Sequence, residues 1–210
     1  MKKTLLATMM LLSMAISAHA MPVYEGLLAT PTGVTATGIW SLDFNIFWHV
    51  ELQNDAWWYQ YTLTHINGTP LEPGAVSHLV IEVSPGVTSN DFWGFNGGPT
   101  EFGSFSGITN GMKLDYGASE QTQWSFFSRR NPTWGDFYAK DGRAGGMGLN
   151  TARNAGFANA DPLDAPDNGS IGYKILRPDT QAVVPEPTTL GLLGAGLIGI
   201  AVRMRRKISK

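Results

Sequence analysis

The sequence contains no cysteine among its 210 residues. This absence excludes disulfide bonds and a cysteine nucleophile, so the fold has to be stable without covalent cross-links. A chain of about 150 residues buries around two-thirds of its surface on folding, which is enough for one core. We therefore expect a single domain between the two chain ends, over residues 21–182.

Basic residues are scarce in the body of the chain. Between Met21 and Val184 there are eight Lys and Arg against sixteen Asp and Glu, a net charge of −8, and the other seven basic residues lie at the two ends. Neutralising phosphates requires clustered Lys and Arg. The acidic body thus excludes nucleic acid as a partner.

Local catalytic motifs are also missing. The segment Gly103–Gly107 places Phe105 at the centre of a would-be GxSxG motif, so it provides no serine nucleophile. The histidines at 49, 65 and 78 have no short-spaced ligand pair that would define a zinc site. Sixteen scattered acids do not define a glycosidase pair. We expect a non-enzymatic body; the alternative is a secreted hydrolase or lyase that acts on polysaccharide.

The N-terminal twenty residues have the layout of a secretory signal peptide. Lys2 and Lys3 precede an apolar run over 5–16, and Ala18-His19-Ala20 provides an Ala-x-Ala cleavage site. The alternative, an N-terminal membrane or core helix, does not account for the small-residue site that follows so short a run. The mature chain is expected to begin at Met21.

The C-terminal 28 residues, 183–210, have three parts. Pro185-Glu186-Pro187 precedes an apolar stretch over 188–202, and a basic tail covers 203–210 with Arg203, Arg205, Arg206 and Lys207. Fifteen helical residues rise about 22 Å, short of the roughly 30 Å hydrocarbon core. Such a helix spans the membrane only if the bilayer thins or if flanking side chains reach the interface. By the positive-inside rule the tail stays in the cytoplasm and the body lies outside. We predict a single hydrophobic helix in the inner membrane.

This order of motif, Gly-rich apolar helix and Arg-rich tail resembles the PEP-CTERM sorting signal of Gram-negative bacteria. The resemblance implies recognition by exosortase, a membrane-embedded cysteine transpeptidase, and cleavage near Pro185-Glu186-Pro187 with loss of the helix. It also implies a surface or extracellular location in species that produce exopolysaccharide and form biofilms. A lasting C-terminal anchor with an accidental Pro-Glu-Pro is the alternative.

Between the ends the dominant hydrophobic period is two, which is typical of strands. Strands are predicted over 39–52, 57–64, 76–83, 102–108, 112–116, 122–128, 134–140 and 171–176, with turn residues such as Asn54-Asp55 between them. The pattern predicts an all-β antiparallel β-sandwich of jelly-roll or immunoglobulin-like type. Residues 142–170 are expected to form a long irregular loop.

Aromatic residues suggest a ligand for this sandwich. Adjacent Trp57 and Trp58 point to opposite faces of their strand, so one ring of the pair faces outward, where it could stack on a sugar. The alternative is that the seven tryptophans of the body fill a large core. Trp57 and Trp58 are therefore the candidate glycan-stacking residues, and exopolysaccharide is the candidate partner.

Asp161, Asp164 and Asp167 bring carboxylate oxygens together in one loop, beside Asn168 and Gly169. Calcium favours such oxygen clusters, although the spacing is not that of an EF-hand. Ordinary turn chemistry is the alternative for these residues. Apart from this candidate calcium site we expect no cofactor.

Overall fold

The computed structural model describes residues 21–71, 76–97, 100–115, 122–141 and 150–182. These residues form thirteen strands and two short 3-10 helices, Gly38–Ser41 and Ser89–Asp91. Neither helix is long and apolar enough to cross a membrane. The predicted signal peptide, 1–20, and the predicted sorting region, 183–210, with its helix over 188–202, lie outside the described residues.

Five strands form one antiparallel sheet. In spatial order they are β1 (Val23–Ala29), β3 (Asn45–Gln53), β4 (Ala56–Thr64), β9 (Gln123–Ser128) and β6 (Phe92–Asn96).

Six strands form a second antiparallel sheet. Their order is β2 (Val34–Ala36), β12 (Thr151–Asn154), β11 (Phe137–Lys140), β5 (His78–Glu82), β8 (Ile108–Asp115) and β7 (Thr100–Phe105). The remaining strands, β10 (Arg130–Gly135) and β13 (Ile175–Ala182), pair with each other.

Inward and outward side chains alternate along the strands, and the inward ones form the core. In β4 the odd positions from Trp57 to Leu63 are buried while the even positions are half-buried, as the period of two predicts. Inward residues of both larger sheets belong to one hydrophobic cluster, which includes Trp48, Ile81 and Phe126. The Tyr61 hydroxyl donates a hydrogen bond to the Leu176 carbonyl at 2.8 Å, which ties β13 to this core. The prediction of an antiparallel all-β protein is confirmed; the jelly-roll or immunoglobulin-like type stays a prediction.

One predicted strand, 134–140, is two strands in the structure. β10 ends at Gly135 and β11 begins at Phe137, and they belong to different sheets. Between them, the buried Asp136 binds the Lys174 ammonium at 2.6 Å. This ion pair fixes the chain where it passes from one sheet to the other.

Other boundaries also differ from the predictions. The first residues of the predicted strand 39–52 form the 3-10 helix Gly38–Ser41 instead, and β13 begins at Ile175 instead of 171. Strands β1, β2, β6 and β12 were not predicted. Residues 155–170 are irregular as expected, whereas 142–149 lie outside the described part of the chain.

Candidate functional site

The outward face of the five-stranded sheet carries a row of aromatic side chains. In the strand register Glu51 of β3 lies opposite Trp58 of β4, Trp58 opposite Phe127 of β9, and Phe127 opposite Trp93 of β6. Opposite residues of an antiparallel pair point to the same side of the sheet. Trp58, Phe127 and Trp93 therefore form a continuous line across three neighbouring strands, which we name the aromatic strip.

Contacts within the strip hold its rings in place. The Trp93 and Phe127 rings stack with centroids 6.1 Å apart and planes 15° apart, and 42 % of Trp93 is exposed. The Arg129 guanidinium lies 5.7 Å from the Trp93 centroid. Gly94, at φ +65°, lies so close to Phe127 that a Cβ there would be 3.0 Å from the ring. This glycine lets β6 approach the ring and keeps Trp93 beside it.

A second row of residues runs beside the strip on the same face. In register order it consists of Glu25, His49, Gln60, Ser125 and Asn96, which we name the polar row. Its charged part lies on β1 and β3, where His49 Nδ1 is 2.7 Å from Glu25 and Nε2 is 3.5 Å from Glu51. On β4, β9 and β6 the row is uncharged.

The predicted pair Trp57 and Trp58 is split between the two faces of β4, as expected. Trp57 is 6 % exposed, stacks on Tyr24 at 5.8 Å and donates its Nε1–H to Asn131 Oδ1 at 3.2 Å. Trp58 faces outward, and its ring contacts that of His49 edge-on at 5.5 Å. Within the pair, Trp58 is thus the ring that a glycan can reach.

The seven tryptophans divide unequally between core and surface. Of the seven, five are buried: Trp40, Trp48, Trp57, Trp124 and Trp134. Trp93 and Phe127 were not singled out in the sequence. The adjacent aromatic pairs Phe92-Trp93 and Phe126-Phe127 are a signal of the same kind as Trp57-Trp58, because one ring of each pair must face outward.

A second cluster of functional groups lies where β5, β11 and β13 come close. Oxygens of Glu82, Asp136 and Asp161 lie within 4.8 Å of one another, and this is the only set of metal-ligand side chains of that kind among the described residues. Lys174, only 1 % exposed, binds Asp136 at 2.6 Å and Asp161 at 3.1 Å. Its ammonium also donates to the Asn159 carbonyl at 2.8 Å.

Arg177 completes this cluster. Its guanidinium donates to Asp161 Oδ2 at 2.9 Å and to Ser84 Oγ at 2.7 Å, and lies 3.8 Å from Glu82. Burial raises the pKa of the Glu82 carboxyl, and the charge of Arg177 opposes that shift. Gly135 leaves the space that Arg177 occupies, since a Cβ there would overlap the guanidinium.

The cluster borders a concavity of about 360 Å³, yet its charges are already largely matched. Three carboxylates face two buried cations, and Asp136 also accepts hydrogen bonds from Asn154 at 2.7 Å and from the Ala158 amide at 2.9 Å. A metal ion at Glu82, Asp136 and Asp161 would have to compete with the Lys174 ammonium. The geometry is that of an ion-pair network that joins strands to the 155–170 segment.

The three predicted calcium ligands take different roles. Asp161 belongs to the ion-pair network, while Asp164 and Asp167 are exposed and lie outside the set of carboxylates that converge with it. Asp167 accepts a hydrogen bond from the Asn168 amide, and Asn168 Oδ1 accepts one from the Glu25 amide at 2.9 Å. The calcium hypothesis stays a prediction.

The three histidines do not converge within the described part of the chain. His49 pairs with Glu25, His65 lies 2.7 Å from Asp43, and His78 contacts its neighbour Ser77 at 3.1 Å. Burial lowers the pKa of His78, and the charge of Lys113 adds to that shift. Each ring has its own local partner.

These features define an antiparallel all-β protein with an aromatic, polar-flanked sheet face. The C-terminal segment goes further: residues 183–207 match the family model described as the PEP-CTERM protein-sorting motif. The chain carries this sorting motif, as its sequence predicts, and the matched range contains Pro185, Glu186, Pro187 and the basic residues Arg203 to Lys207. The motif implies export and sorting by exosortase. No curated protein and no solved structure matches the chain.

Proposed function

We propose that this protein is a non-enzymatic component of the extracellular matrix that binds polysaccharide through the aromatic strip. The observation that carries this proposal is the line of Trp58, Phe127 and Trp93 across three strands, beside polar groups. The sorting motif supports it, because an exosortase substrate is delivered to the compartment where such polymers are found.

Physical chemistry favours sugar as the ligand of the strip. The C–H groups on one face of a pyranose pack against an aromatic ring by dispersion and by removal of apolar surface from water. Trp93 is exposed and Trp58 and Phe127 are half-buried, and an apolar patch that reaches solvent beside polar groups is typical of an interaction site. An outward sheet face can accommodate an extended polymer, which binds without a deep pocket.

The enzymatic alternative has less support. The one set of three carboxylates that converge in the described ranges, Glu82, Asp136 and Asp161, is held by Lys174 and Arg177. A glycosidase needs one carboxyl group free to donate a proton and a second free to attack or to activate water. We therefore favour binding of polysaccharide over its cleavage by hydrolysis or by a lyase-type elimination.

We further propose that processing determines where the protein acts. Before cleavage, the apolar stretch 188–202 holds the chain in the inner membrane with its body outside. Exosortase then cleaves near Pro185-Glu186-Pro187 and the body reaches the surface or the matrix. Exosortase and the membrane are thus transient partners, and the polysaccharide is the lasting one.

The test is binding of the purified full-length protein to exopolysaccharide from the native organism. Trp58→Ala and Trp93→Ala are each expected to weaken binding by about ten-fold, the equivalent of about 1.4 kcal/mol. Tyr138→Ala is the matched control, because Tyr138 is a half-buried aromatic residue on the outward face of the other sheet. Equal affinity of all three variants and the wild type for the exopolysaccharide would refute the proposal.

A further inference from the structure

We propose that the polysaccharide is uncharged and lies across strands β4, β9 and β6, stacked on the aromatic strip and hydrogen-bonded by the polar row. This inference rests on the proposed function and specifies its ligand. It follows from the direction of the strip, the free hydrogen-bonding groups beside it and the distribution of charge on this face.

The direction follows from the register. Neighbouring strands are about 4.8 Å apart, so Trp58, Phe127 and Trp93 cover on the order of 10 Å across the sheet. Along the strands the rings do not continue, because the next outward positions are Gln60 on β4 and Ser125 on β9. An extended ligand keeps contact with successive rings only when it runs across the strands.

Hydrogen-bonding groups run parallel to that path. Gln60 and Asn96 flank the mostly buried Ser125, and across the described chain the three side chains form no hydrogen bond with one another or with any neighbour. In the next row, by contrast, Gln123 Nε2 donates to Thr62 Oγ1 at 3.2 Å. An amide offers both donors and an acceptor, which suits sugar hydroxyls. The free amides of Gln60 and Asn96 are therefore placed to bind a sugar stacked on the strip.

Charge selects the class of polymer. On β4, β9 and β6 neither row contains a charged residue, whereas Glu25 and Glu51 lie at the β1 and β3 end. These two carboxylates, in a body of net charge −8, repel a polyanion. Arg129 is a single cation at the opposite end and lies over Trp93. A neutral polymer is not repelled by Glu25 and Glu51, and Arg129 is the one charged group that lies over a ring of the strip.

The test is affinity electrophoresis of the full-length protein with three soluble polymers: neutral hydroxyethylcellulose, anionic polygalacturonate and cationic chitosan oligomers. We expect retardation by the neutral polymer at concentrations where the two charged polymers have little effect. The double variant Gln60→Ala/Asn96→Ala should bind the neutral polymer about ten-fold more weakly, through loss of two hydrogen bonds. The matched control Gln123→Ala should bind like the wild type, and melting curves confirm that each variant is folded.

The outcomes separate this inference from the proposed function. Two results overturn the inference: stronger binding of either charged polymer than of the neutral one, or unchanged affinity of the Gln60→Ala/Asn96→Ala variant. In either case, loss of binding in Trp58→Ala still supports the aromatic strip as the binding site. Retained binding in both Trp58→Ala and Trp93→Ala overturns the proposed function itself. Binding to none of the three polymers contradicts the assignment of a neutral glycan.

Discussion

At the scale of single residues, Lys174 shows how this protein is stable without cysteine. Its ammonium is withdrawn from solvent and satisfied by Asp136, Asp161 and the Asn159 carbonyl. Buried charges are tolerated only when they are paired and hydrogen-bonded. The lysine thus attaches the irregular 155–170 segment to the junction between β10 and β11, where a disulfide would serve in other exported proteins.

Replacement of Lys174 by methionine tests this role. The change removes the buried cation that pairs with Asp136 and leaves Asp161 with Arg177 alone, so we expect a loss of about 3–5 kcal/mol in the free energy of unfolding. Urea denaturation measures the loss. Lys113→Met is the control, since Lys113 pairs with Glu101 and Asp115 on an outward face and should cost only about 0–1 kcal/mol. Equal losses in the two variants would refute the role of Lys174.

At the scale of strands, the sequence predicts the elements in which apolar and polar residues alternate. The strand over 57–64 and the buried side of that strand follow directly from the period of two. The turn at Asn54-Asp55 was also predicted, and the structure has φ of 48° and 64° at these residues. Two positive φ values between adjacent antiparallel strands are typical of a type I′ turn.

Substitution at this turn gives a prediction for the hairpin of β3 and β4. Asp55→Gly should stabilise the fold by a few tenths of a kcal/mol, up to about 1, because glycine adopts a positive φ without strain. Asp55→Val should destabilise it, because a β-branched side chain is strained at φ 64°. Thermal unfolding of the two variants measures both shifts. The same direction of change in both variants would show that the turn does not depend on this conformation.

Strands β6 and β12 were beyond prediction for identifiable reasons. β6 contains Gly94 at φ +65° and a register shift between Trp93 and Asn96, so its side chains do not alternate regularly. β12 has only four residues, Thr151–Asn154, which is too short for a periodic signal. The run 134–140 looked like one strand because nothing local shows that Asp136 pairs with the distant Lys174.

The aromatic strip was only partly predictable from sequence. Trp58 could be named because two adjacent tryptophans must face opposite ways. Phe127 and Trp93 join it only through the order β4, β9, β6, which brings together residues that lie far apart in the chain. The sorting motif, by contrast, is a contiguous segment, and its residues could be read directly.

At the scale of the whole molecule, the proposed binding surface and the sorting motif lie in different parts of the chain. The body, with its net charge of −8, carries the aromatic strip, and β13 ends at Ala182, immediately before the matched sorting motif. Such an order allows the body to be released intact when the chain is cut after its last strand. Delivery of the body to the matrix therefore requires that cleavage takes place and that the product leaves the membrane.

Intact mass spectrometry of the protein from membrane and extracellular fractions of the native organism tests that requirement most directly. We predict an extracellular product that begins at Met21 and ends near residue 187. With Pro185, Glu186 and Pro187 all changed to alanine, the chain should instead keep Lys210 and stay with the membrane. A wild-type protein that retains Lys210 in the membrane fraction, or an alanine variant released with unchanged mass, would contradict the account.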